Sequence, residues 1–129
     1  MDHDSLDRYR QTHPAWRLLA ADNSPLILSF LELSFIRPNR RAIPAPELIA
    51  QLDAYLAQLT EIHGAERYPK LARQYLEDWA APDRGYLRKY YPRSGEEADF
   101  DLTPAAEKAL EWIQGLTTRW YGHAIRSSG

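Results

Sequence analysis

The stretch from Gly85 to Leu102 constrains this chain more than any other. Ala98, Phe100 and Leu102 alternate with Asp99 and Asp101, the period-two pattern of a strand with one buried face. Upstream, Gly85-Tyr86-Leu87-Arg88-Lys89-Tyr90-Tyr91 is aromatic-rich and suits a pleated, half-buried surface. Pro92-Arg93-Ser94-Gly95-Glu96-Glu97 between them reads as a turn. The pattern predicts a β-hairpin in which Arg88 and Lys89 lie across from Asp99 and Asp101, where each opposite-charge pair contributes ~0.2–1 kcal/mol. A hairpin is marginal alone, so its apolar face must rest on helices.

The rest of the chain supplies them. Asp4 to Ala21 reads as an arm of two short helical pieces, with Asp4 as a cap and Pro14 starting the second. Ser24-Pro25 reads as an N-cap and first-turn pair. The run Leu26 to Ile36 behind it is apolar almost all round, as expected of a central helix. Arg37-Pro38-Asn39-Arg40-Arg41 stops it, and the arginines complement the carbonyl end of the helix dipole. Leu48, Leu52, Tyr55, Leu56, Leu59 and Ile62 mark an amphipathic helix closed by Gly64. A further helix is predicted from about Pro69 to Ala80, with Tyr68, Leu71, Tyr75, Leu76 and Trp79 on its inner stripe. After the hairpin, Thr103 caps, Pro104 takes the first helical position, and Ala106, Ala109, Leu110, Ile113 and Leu116 form the packing face.

At 129 residues the chain has the length of one domain, enough to bury about two-thirds of its unfolded surface. The absence of cysteine excludes disulfides and thiolate chemistry and fits a reducing compartment. Met1-Asp2-His3-Asp4 is acidic with no apolar run behind it, which argues against a signal peptide and, with no membrane-length apolar segment, for a cytoplasmic location. A formal charge of −2 gives no overall attraction for nucleic acid.

Three helices followed by a hairpin form the order of a winged helix-turn-helix domain, a mainly α fold with one β-hairpin. The expected layout is an N-terminal helical arm over 1–22, the winged-helix domain over 23–102, a following helix over 103–118, and a frayed tail or truncation point over 119–129. The 69–80 helix would be the recognition element and 86–102 the wing. Catalytic chemistry finds no footing. His3, His13, His63 and His123 are scattered, Glu107 and Glu111 share a solvated helix face with Lys108, and neither a Gly-x-Ser-x-Gly elbow nor a glycine-rich phosphate loop occurs. No enzyme activity, cofactor or metal is expected.

Two kinds of binding remain. Arg67, Lys70 and Arg73 on the third helix, with Arg88, Lys89 and Arg93 on the wing, form a candidate nucleic-acid face. Glu77, Asp78, Glu96, Glu97, Asp99 and Asp101 on the same elements would repel a phosphate backbone. Protein docking is favoured instead, with Trp16, Tyr86, Tyr90, Tyr91 and Trp112 as candidate interface residues, and Trp120 also off the packing stripe. Such aromatics are enriched at interface centres, and the wing's strand edge offers sheet extension as a second route.

Four separated blocks carry a family resemblance: His13-Pro14-Ala15-Trp16-Arg17-Leu18-Leu19, Ser24 to Leu31, Leu87-Arg88-Lys89-Tyr90-Tyr91-Pro92, and Phe100 to Leu110. Together, over about residues 7–118, they resemble the N-terminal winged-helix region of JetA, the kleisins of the bacterial Wadjet system and relatives of the MukF and MksF kleisins. The resemblance implies a noncatalytic scaffold module in an SMC-type plasmid-defence complex, with itself (as a homodimer) and SMC-complex subunits as partners. It places ATP hydrolysis and DNA cleavage in other subunits, so DNA is met weakly or through partners, and no membrane is involved. Family members continue through neck- and head-binding regions. Arg119–Gly129 departs from that continuation, so neither contact is implied for this chain.

Overall fold

The computed structural model describes residues 1–92 and 97–128, with side chains through residue 119. It is mainly helical, with a small three-stranded antiparallel sheet.

The arm comprises α1 (His3–Thr12) and α2 (Pro14–Ala20). Asp2, rather than Asp4, caps α1, accepting from the Ser5 amide at 3.3 Å. Pro14 starts α2, where its missing N–H costs nothing, and the His13 ring accepts from the Ala15 amide. Next comes α3 (Ser24–Leu31), which begins one residue earlier than expected: Asn23 holds the cap position and makes no side-chain capping bond. Leu26, Ile27, Leu28, Phe30 and Leu31 are all buried, as the all-round apolar pattern predicts.

The helical run stops at Ile36, before Arg37-Pro38 as expected, but the form of its last turn was not legible in the sequence. Glu32–Ile36 forms a single π-helical turn, with the Arg37 amide donating to the Glu32 carbonyl and the Arg40 amide to that of Phe35, both at 2.9 Å. Asn39, at φ 56°, then reverses the chain. Two of the expected terminal arginines take specific partners: Arg37 pairs with Glu32, and Arg40 forks onto Glu47.

That reversal delivers β1 (Ala42–Pro44), a strand missed because it is only three residues long and ends in proline. It leads directly into α4 (Ala45–His63), which buries Leu48, Leu52 and Leu56 and ends at Gly64, φ 91°. The following helix, α5 (Ala72–Ala80), starts three residues after Pro69. Tyr68 and Leu71 therefore precede it, and Leu71, expected inward, is 69% exposed. The Tyr75 hydroxyl accepts from the Lys70 amide, tying the preceding loop to the helix.

The hairpin forms between β2 (Leu87–Tyr90) and β3 (Asp99–Leu102). With β1 on its other side, β3 is the central strand, in the order β1-β3-β2. Arg88 faces Asp101 as predicted, but Lys89 lies opposite Phe100 and reaches Glu77 of α5 instead of an aspartate. Phe100 is 1% exposed and fixes which face of the sheet meets the helices. Thr103 joins sheet to helix: its hydroxyl donates to the Gly85 carbonyl at 2.7 Å and accepts from the Ala106 amide at 3.2 Å. The last helix, α6 (Pro104–Ser128), runs ten residues past the expected boundary at 118, so the segment read as a frayed tail is helical as far as Ser128. Residues 93–96 of the expected turn, including Arg93, lie outside the described residues, as do the side chains of Trp120 and His123.

The core gathers around Phe30, Trp79 and Tyr75, with ring centroids 6.0–6.2 Å apart. Among the described residues no single helix is long and apolar enough to cross a bilayer.

Candidate functional site

Two of the five aromatic candidates converge. Trp16 on α2 and Trp112 on α6 both line an open groove of about 870 Å³, with Tyr9, His13, Ala15, Leu19, Leu28 and Ile113. Trp112 is 58% exposed and Trp16 37%. Ala106 and Ala109 are buried near the start of α6, and α6 packs against α2. Tyr9 stacks edge-on to His13 at 6.4 Å and walls one side.

Sequence reasoning missed Tyr9. The signal available was its spacing to His13 and Trp16, at four and seven residues. A second hollow of about 600 Å³ shares Ser24, Leu28 and Ile113 with the first and continues along α6 past Leu110 to Thr118. The two form a continuous, mainly apolar cleft bordered by α6.

The tyrosine candidates separate. Tyr86 is only 2% exposed, so its expected role as an interface residue is incorrect. Its amide donates to the Trp79 carbonyl and its own carbonyl faces Thr103, which turns the ring into the molecule. Tyr90 is half-buried beneath the Arg88 guanidinium, 4.5 Å from its ring centre. Tyr91 is 64% exposed but belongs to a different hollow, with Ala45, Ile49 and Arg73.

The basic candidates do not form a free patch. Arg88 grips Asp101 through two nitrogens at 3.1 and 2.7 Å, and that contact raises the guanidinium pKa above its ordinary value. Lys89 pairs with Glu77 at 2.7 Å and Lys70 with Asp78 at 2.8 Å. Arg67 lies over the Tyr68 ring at 5.3 Å, and Arg73 is exposed on α5. Among the described residues no three His, Asp or Glu side chains cluster in a way that would hold a metal ion.

The family described as "Protein of unknown function (DUF3375)" matches residues 8–122, from within α1 well into α6, and so covers every element of the groove. This chain belongs to the DUF3375 family. It is similar to an uncharacterized protein of Mycolicibacterium smegmatis, at 49% identity over 119 residues. That match covers 92% of this chain and 25% of the relative. The DUF3375 chain thus spans about a quarter of the length of the curated relative it matches.

Proposed function

We propose that the chain is a noncatalytic winged-helix scaffold module, the N-terminal domain of a JetA-like kleisin in an SMC-type plasmid-defence complex. It acts by self-association or by docking a partner subunit in the cytoplasm. The observation that carries this reading is the groove between the arm and α6, where two tryptophans stand half-open above an apolar floor. Exposed apolar surface of this kind is a feature of interaction sites, and large aromatics supply most of the energy in them. The element order supports the winged-helix part. Helix, strand, helix, helix, strand, strand, with the first strand paired to the last, is the arrangement α3, β1, α4, α5, β2, β3. The resemblance of the four sequence blocks supports the kleisin part, and a chain matching a quarter of its relative fits a module of a larger protein.

The alternative, a winged-helix DNA-binding regulator, has less support. Three of its six basic residues are already neutralised by carboxylates on the same elements, which lowers the number of phosphate counterions the surface could displace.

Sedimentation across a concentration series tests the scaffold reading. Self-association into the high micromolar range is expected, and Trp112→Ser should weaken it about tenfold or more, in line with ~2 kcal/mol for a central aromatic anchor. A strict monomer at those concentrations would remove the dimer version. Steep, salt-sensitive binding to duplex DNA would favour the regulator.

A further inference from the structure

A polar cavity of about 400 Å³ opens where the arm, the start of α3 and the turn after α5 meet. Its lining differs from that of the aromatic groove. Arg10, Arg17, Lys70 and Arg84 stand around it, against the carboxylates Asp22 and Asp78. Lys70 and Asp78 neutralise each other at 2.8 Å. Arg10 is held only by an exposed pair to Asp7, a contact that contributes little in water. Arg17, half-buried, donates to the neutral carbonyl of Asp83, and among the described residues neither Arg17 nor Arg84 forms an ion pair. Two guanidinium charges, that of half-buried Arg17 and that of exposed Arg84, therefore have no counter-charge in contact among the described residues.

The cavity also holds two uncommitted donors. Tyr86 and Trp79 both line it, and each is only 2% exposed. Neither the phenol hydroxyl nor the indole N–H bonds to a described residue, and among the described residues no side-chain nitrogen or oxygen sealed from solvent lacks a partner. Both residues contribute to the cavity's wall. Asn23, a residue type that ordinarily caps a helix, makes no capping bond and lines the same cavity.

We infer that this cavity binds the phosphoryl group of a small phosphate ester, held by Arg17 and Arg84 with the Tyr86 hydroxyl beneath. Guanidinium forks match phosphate oxygens, and charge-assisted bonds to them are the strong ones. A phosphoryl group offers three acceptor oxygens to a carboxylate's two, which suits more than one guanidinium. The volume falls within the ~300–1,000 Å³ of small-molecule sites, which leaves room for an ester group beyond the phosphate. Asp22 and Asp78 on the same lining oppose a polyanionic strand, so a small ester is favoured over nucleic acid. The inference does not depend on the scaffold reading.

Amide correlation spectra of the full chain, titrated with adenosine monophosphate and separately with inorganic phosphate at constant ionic strength, provide the test. Saturable shifts are expected at Asn23, Arg84, Gly85 and the Trp79 indole, with sodium chloride giving none. Arg84→Gln and Arg17→Gln should each weaken binding about tenfold, as expected for a lost charged hydrogen bond. Tyr86→Phe keeps the buried ring and should weaken binding several-fold with an otherwise unchanged spectrum. Shifts that never saturate, or saturation that survives both Arg84→Gln and Tyr86→Phe, overturn the site. A duplex oligonucleotide binding through the same residues more tightly than the mononucleotide overturns the small-ester assignment.

Discussion

Single side chains set the joints of this molecule, and Thr103 makes the clearest case. One hydroxyl both caps α6 and holds the Gly85 carbonyl. Thr103→Ala should cost ~1–2 kcal/mol by denaturant titration, and Thr103→Ser should recover most of it. Glu47 is a second joint. Hydrogen bonds from Arg40 hold its carboxyl below the ordinary glutamate value of 4.5. A carboxylate with a depressed folded pKa contributes stability that is complete above its unfolded value and is lost as pH falls through the folded one. Thermal melts between about pH 5 and about pH 3 should therefore fall less steeply, relative to neutral pH, for Glu47→Gln than for the parent chain. Residue roles were partly legible. Thr103-Pro104 announces a helix start in any context, because the cap acts through its own backbone neighbours. Tyr86 was not legible, since its burial depends on a carbonyl supplied by Trp79 of another element.

At the scale of elements, what could be read was whatever repeats. The amphipathic stripe of α4 and the alternation of β3 each repeat often enough to fix type and face. What could not be read was short or set by partners. Strand β1 exists only because β3 offers it an edge, and the π turn leaves the apolar pattern of the helix it extends unchanged. The central position of β3 makes it the most sensitive strand. Phe100→Ala should cost ~3–5 kcal/mol, seen as a fall in the denaturation midpoint. Gly64 tests the backbone alone. No heavy atom lies within 4 Å of where its Cβ would sit, yet φ 91° with ψ 159° is a conformation essentially reserved for glycine. Gly64→Ala should therefore destabilise by ~1–3 kcal/mol without a steric clash, again by denaturant titration.

Taken whole, the chain separates two kinds of surface that its composition mixes. One is the apolar cleft along α6, with Trp16 and Trp112 at its rim; the other is the cationic cavity beside Arg17 and Arg84. Double substitution of Trp16 and Trp112 by serine should abolish concentration-dependent sedimentation while leaving phosphate titrations unchanged, because neither tryptophan lines the cavity. The continuity of α6 has a mechanical corollary. Twenty-five residues of helix make a rod about 37 Å long, and the rod grows from the middle strand through the single residue Thr103. Force applied at the tip has no slack linker to dissipate in. Because α6 also lies against α2, a pull there is shared between the arm and β3 with its two flanking strands.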